Sequence, residues 1–258
     1  LSITYAGIID PCGTGGTLCT TNNTDNDMHT IGFRQAGQLY GIDYRGEYYY
    51  QWGDATQDAS TLTTGNTTVD VPVDRSAYMF GVRVGKSFNN VMYKPSVTLW
   101  YDYLSGTTDE DQADNDWSSF DTLYDTGHKY YGLQDVFLGI GNGGVAGTSG
   151  LGLQDLAVKF KMNPMPGWTL KFDAHAFATA EGICANPTTS GVVCADTKGG
   201  NNARDETYLG NEFDLTLVNK YNANTKIMIG YSVYNGSSGF RKLKSNQTEI
   251  VGATAADW

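Results

Sequence analysis

His128 stands in an acid-rich stretch, with Asp121 and Asp125 before it, Lys129 beside it and Asp135 after it. A histidine flanked by carboxylates has the ingredients of an acid–base pair. The rest of a catalytic set is missing: the chain has no Gly-x-Ser-x-Gly elbow and no His-Glu-x-x-His. The simpler expectation is that Phe120, His128, Lys129 and Asp135 order a loop, the cations holding its acids, and that the chain is not an enzyme. Asp109, Asp111, Asp114 and Asp116 offer oxygen ligands of the kind calcium takes. They lack the glycine-centred order of an EF-hand, so a solvated acidic loop is the main expectation, with structural calcium the one cofactor kept as a candidate. Cys12 and Cys19 form one close pair in the sequence, Cys184 and Cys194 another. Neither is a Cys-x-x-Cys and no histidine lies near, which favours two disulfides, each within its own loop, in an oxidising compartment.

A larger chemical signal lies in charges at alternate positions. In residues 42–52 one parity reads Ile42, Tyr44, Gly46, Tyr48, Tyr50, Trp52 and the other Asp43, Arg45, Glu47, Tyr49, Gln51. Residues 95–104 set Val97, Leu99, Tyr101 and Tyr103 against Thr98, Trp100 and Asp102, and 156–162 set Leu156, Val158 and Phe160 against Lys159 and Lys161. Period-2 alternation marks strands with one apolar and one polar face. Over all such segments the polar parity collects eight bases (Arg34, Arg45, Arg83, Lys159, Lys161, Lys171, Lys220, Lys226). It also collects seven acids (Asp43, Glu47, Asp102, Asp155, Asp173, Glu212, Asp214). The strands are thus close to neutral, and the formal charge of −11 belongs to the connections. Acidic loops give no reason to expect nucleic acid as a partner.

The connections alternate in length. Long polar ones at residues 10–28, 53–76, 105–152, 181–208 and 235–257 are separated by a tight bend at Gly41 and short links at 89–94, 163–167 and 222–225. All long loops then fall at one end of the sheet, as in an up-and-down antiparallel barrel of the outer-membrane kind. A soluble sandwich is the rival, but its strands average about 5–6 residues. These run to roughly 9–12, the length that crosses a bilayer at a tilt. Aromatic residues cap both ends of the apolar faces: Tyr50, Trp52, Tyr78 and Tyr103 at the long-loop end, Phe88, Trp168 and Tyr221 at the other. Two such girdles suit two membrane–water interfaces. No apolar run reaches the ~18 residues of a membrane helix, and a mean hydropathy of −0.36 is compatible with strands wetted on one side. The expected class is all-β, one transmembrane barrel domain over residues 1–258.

One stretch is more specific. Tyr101-Asp102-Tyr103-Leu104-Ser105-Gly106, then Phe120-Asp121-Thr122-Leu123-Tyr124-Asp125-Thr126-Gly127-His128-Lys129-Tyr130-Tyr131-Gly132, with Gln134-Asp135 behind, resembles the alginate-export family of outer-membrane porins. Leu151-Gly152-Leu153-Gln154-Asp155-Leu156 is similar to that family's return strand, while Thr107 departs from its usual Asp. The resemblance implies the C-terminal half of an eighteen-stranded barrel in the bacterial outer membrane, and a conduit for an anionic polysaccharide. Nine strands are counted here, an odd number, so the chain is expected to be a fragment lacking N-terminal strands and the final C-terminal strand. In that reading Arg34, Arg45 and Arg83 contact carboxylate or phosphate groups of a polar or anionic solute in bidentate fashion. Lys159, Lys161 and Lys171 add point charges, while Asp43, Glu47 and Asp102 keep the lumen from trapping polyanions. The expected partners are outer-membrane lipid and that solute. Two alternatives stay open: a structural barrel plugged by its own loop or sheathing a partner protein, and a secreted carbohydrate-binding β-protein.

Overall fold

The computed structural model describes residues 1–10, 26–58, 70–108, 110–111, 114, 116–122, 130–137, 147–148, 150–184 and 204–251. Cys12, Cys19, Cys194, Asp109, His128, Lys129 and Trp258, and the side chain of Cys184, lie outside the described residues, and with them both expected disulfides.

Nine long strands form one antiparallel sheet in chain order. They are β1 (Ser2–Asp10), β2 (Asn26–Leu39), β3 (Ile42–Asp58), β4 (Asp70–Ser87), β5 (Ser96–Leu104), β7 (Leu153–Met162), β8 (Trp168–Cys184), β9 (Arg204–Lys220) and β10 (Lys226–Gly236). A two-residue strand, β6 (Asp116–Trp117), pairs in parallel with the outer end of β4. The short links fall where the sequence places them. The tightest is Tyr40-Gly41, both with positive φ (51° and 74°), the backbone that a two-residue hairpin needs to follow strand twist. β1 and β10 each pair with one neighbour only, so the sheet is open and the described residues do not close into a barrel.

Two expectations need correction. β3 and β4 continue as a paired ribbon through Asp58 and Asp70, so most of the connection expected at 53–76 is strand. Their 17 and 18 residues exceed the ~9–11 that cross a bilayer, and the excess stands on the long-loop side. Pro72 sits in that overhang opposite Thr56. The second correction is a helix, α1 (Ser238–Val251), where a loop was expected at 235–257. The Ser237 Oγ accepts the Phe240 N–H at 3.2 Å, a cap that satisfies one of the free N–H groups of the first turn. Phe240 and Leu243, one turn apart, then turn the same flank toward the sheet. Among the described residues no helix is long and apolar enough to cross a membrane, which says nothing of strands.

The two faces of the sheet differ sharply. The apolar face is bare: Leu99 is 52% exposed, Ile229 66% and Phe33 51%, with Tyr44, Phe172 and Leu215 also exposed and Phe80 and Phe160 half-buried. Its loop-side rim carries a run of stacked rings, Tyr48–Tyr78, Tyr78–Tyr103 and Phe80–Tyr103, with centroids 6.4, 5.8 and 5.3 Å apart. On the polar face the loop-side half is covered by residues 105–108, 116–122, 130–137 and 150–151 and by α1. Leu104, Leu153, Phe177, Ile183 and Leu209 from the strands pack there with Phe120, Phe137, Leu151 and Leu243, all buried.

Candidate functional site

The polar face is where charges converge, and it divides into two halves. In the loop-side half and at mid-strand the charges are buried and paired. Glu47 on β3 receives Arg45 at 2.6 Å and Arg83, on the neighbouring β4, at 2.7 Å. Arg83 reaches on to Asp102 of β5 at 3.3 Å, and its guanidinium lies 3.4 Å above the ring of Trp100. Antiparallel register puts these residues side by side, since Arg45 faces Arg83 and Arg83 faces Trp100 across adjacent strands. The two guanidiniums would repel each other directly; Glu47 between them removes the conflict. Further along, the Asp155 carboxylate meets Nδ1 of His175 at 2.9 Å, both side chains fully buried. Lys159 pairs with Asp173 at 3.5 Å.

A strap of loop, residues 130–137, lies over this network. Tyr130 packs 6.1 Å from Trp100, and Phe137 packs against Phe177 (4.9 Å), Tyr234 and Phe240. Between those anchors the Leu133 and Gln134 N–H groups donate to Asp214 (3.3 Å) and Glu212 (2.9 Å) on β9. Burial, helped by the nearby Asp102 and Asp155 carboxylates, pushes the Tyr131 phenol well above its ordinary pKa. Upstream, Gln51 of β3 holds the loop at Asp121 by two bonds, Nε2 to the carbonyl (2.7 Å) and Oε1 from the N–H (2.8 Å).

The turn-side half is open. Lys161, Lys171, Lys220 and Lys226 are exposed there, and Arg34 is exposed at mid-strand on β2, in register with Glu47; none has an ion-pair partner among the described residues. Lys161 stands directly opposite Lys171, and Lys220 opposite Lys226. Like charges so placed repel, and among the described residues no acid pairs with them. Asp43 accepts a bond from Gln38 at the hairpin end (2.9 Å).

Of the sequence-derived bases, then, Arg83 is withdrawn from solvent, Arg45 and Lys159 are paired, and Arg34, Lys161 and Lys171 are free to meet a solute. Of the expected loop-ordering residues, Phe120 is buried in the core and Asp135 lies in the strap. Of the acids considered for calcium, Asp109 lies outside the described residues, Asp111 accepts from the Thr108 N–H at 2.8 Å, and Asp116 is a strand residue facing Asp74. Among the described residues no group of three or more His, Cys, Asp or Glu is placed to hold a metal ion. Gly132, Glu212 and Asp214 as loop anchors were not legible as such, because their contact depends on which strand the loop reaches.

A family model for alginate export matches residues 14–252, nearly the whole chain. The chain belongs to the alginate export family. This is an outer-membrane family with a transport role and no catalytic one. No curated protein matches the chain.

Proposed function

We propose that this chain is one side of an outer-membrane channel that passes a polar, anionic solute of the polysaccharide class. The observation that carries the reading is the open half of the polar face, where four lysines without an ion-pair partner among the described residues line a wall whose other surface is bare and apolar. An apolar face of this extent is stable against lipid and costly against water. The family's association with polysaccharide export supplies the solute class.

The sheet as described cannot close on itself correctly. With nine antiparallel strands β1 and β10 run in the same direction, and joining them would make a parallel pair in an otherwise antiparallel wall. Unpaired strand edges in hydrocarbon cost several kcal/mol per exposed backbone group, by order of magnitude. The edges are therefore completed by an odd number of further strands, and nine more make the eighteen that the family resemblance implies. Lys161, Lys171, Lys220 and Lys226 then face the lumen on the short-turn side, the periplasmic side of such barrels, with Arg34 at mid-wall. They draw in carboxylates, while Asp43 and the paired acids keep binding weak enough for release. Planar-bilayer recording tests this: anion-selective steps that uronate oligomers block are expected, and a protein that is soluble without detergent contradicts it.

The filled loop-side half favours a second reading, a barrel sealed by its own loop. A bilayer that stays silent with correctly inserted protein decides for it.

A further inference from the structure

The strap crosses the polar face from β4 and β5, where Tyr130 meets Trp100 and Arg83, to β9 and β10. Its closest approach to the wall is at Gly132, whose φ is +86°. A Cβ there would stand 2.4 Å from the Glu212 carboxylate, so only glycine lets the backbone come this near. The next two N–H groups are thereby aimed at Glu212 and Asp214. Ser232 of β10 ties the two carboxylates together, donating within 3.1 Å of Glu212 and 2.5 Å of Asp214. N–H bonds to carboxylates are stronger than neutral ones, and these two tie the middle of the strap to β9.

We propose that residues 130–137 are the constriction of the lumen and that Glu212 and Asp214 are its latch, with Gly132 the residue that permits latching. The strap thus sets the largest solute that passes, separately from the turn-side bases that choose its charge. This rests on the channel reading above.

The test compares the parent, the Glu212→Ala/Asp214→Ala pair, Gly132→Val and the conservative Glu212→Gln/Asp214→Asn pair in the full protein. Amide exchange at Leu133 and Gln134 reads docking; single-channel conductance and the size of polyethylene glycol excluded from the pore read constriction. The alanine pair and Gly132→Val should each speed exchange at both amides by about tenfold or more. Both should also raise conductance and admit larger polymers. The Gln/Asn pair keeps acceptor oxygens and should stay near the parent in both readouts. Faster exchange with unchanged conductance and polymer cut-off, in a parent that conducts, overturns the constriction and leaves the channel intact. Unchanged exchange in the alanine pair and Gly132→Val overturns the latch. A parent without conductance removes the channel reading and the constriction with it.

Discussion

The two halves of the polar face are built from the same residue types and behave oppositely. On the loop side an arginine is structural: Arg83 is covered, bonded to two carboxylates and stacked on Trp100. On the turn side lysines of the same wall face each other with nothing between them. The difference lies in what covers the wall. The described loop residues 116–122 and 130–137 and α1 displace water from one half, and a charge without a partner there would be costly. The open half stays wet, so opposed lysines survive with a modest repulsion. Charge on a strand face therefore carries no function by itself; the covering does.

The comparison breaks most visibly at Arg83. Arg83→Ala strands Glu47 and Asp102 in the covered half and should cost about 3–5 kcal/mol of stability, read by denaturant unfolding in detergent. Its reversal potential should hardly move. Equal stability of this variant and the parent would deny the division. On the opposite surface Leu99→Arg should cost about 2–4 kcal/mol if the bare face meets the bilayer near its midplane. Gln51→Ala removes its two bonds to the Asp121 backbone, a loss of about 1–3 kcal/mol. That loss should come with faster exchange at Asp121.

The smallest effect belongs to α1. Lys242, at 2.8 Å, and the Ser238 hydroxyl hold the Glu206 carboxyl below the usual carboxylate range. Glu206 lies in the loop-side overhang of β9, beyond the exposed Tyr208 of the rim. A depressed folded value stabilises above the unfolded one and is lost as pH falls through the folded one. Acidification past the normal carboxylate range should loosen the start of α1, by well under ~1 kcal/mol because the pair is solvent-screened. Amide exchange at Lys242 as a function of pH reads it; Glu206→Gln should flatten the profile.

Much of this fold is legible in the chain because period 2 survives wherever one strand face is covered by lipid or loop. The parity of Ile42 to Trp52 and of Val97 to Tyr103 matches the exposed and buried sides. The ribbon of β3 and β4 beyond Gly53 is not legible, since Asp54, Gln57 and Asp70 give it no apolar face. α1 was hidden by Ser237-Ser238-Gly239, which reads as loop until Ser237 is seen capping the turn. The network at Arg83 depends on inter-strand register, and single-strand periodicity carries none of that. Nor does it carry which bases end up paired: Lys159 and Lys161 share a face and a type, yet among the described residues only Lys159 finds an acid.

The division of the wall is tested most directly by the reversal potential of single channels under a salt gradient. The comparison sets the parent against a variant with Lys161, Lys171, Lys220 and Lys226 all replaced by Ala. The parent should favour anions, and the variant should shift toward cations while unfolding at the same denaturant concentration. A variant with unchanged selectivity, or one that loses stability as Arg83→Ala does, would contradict the account.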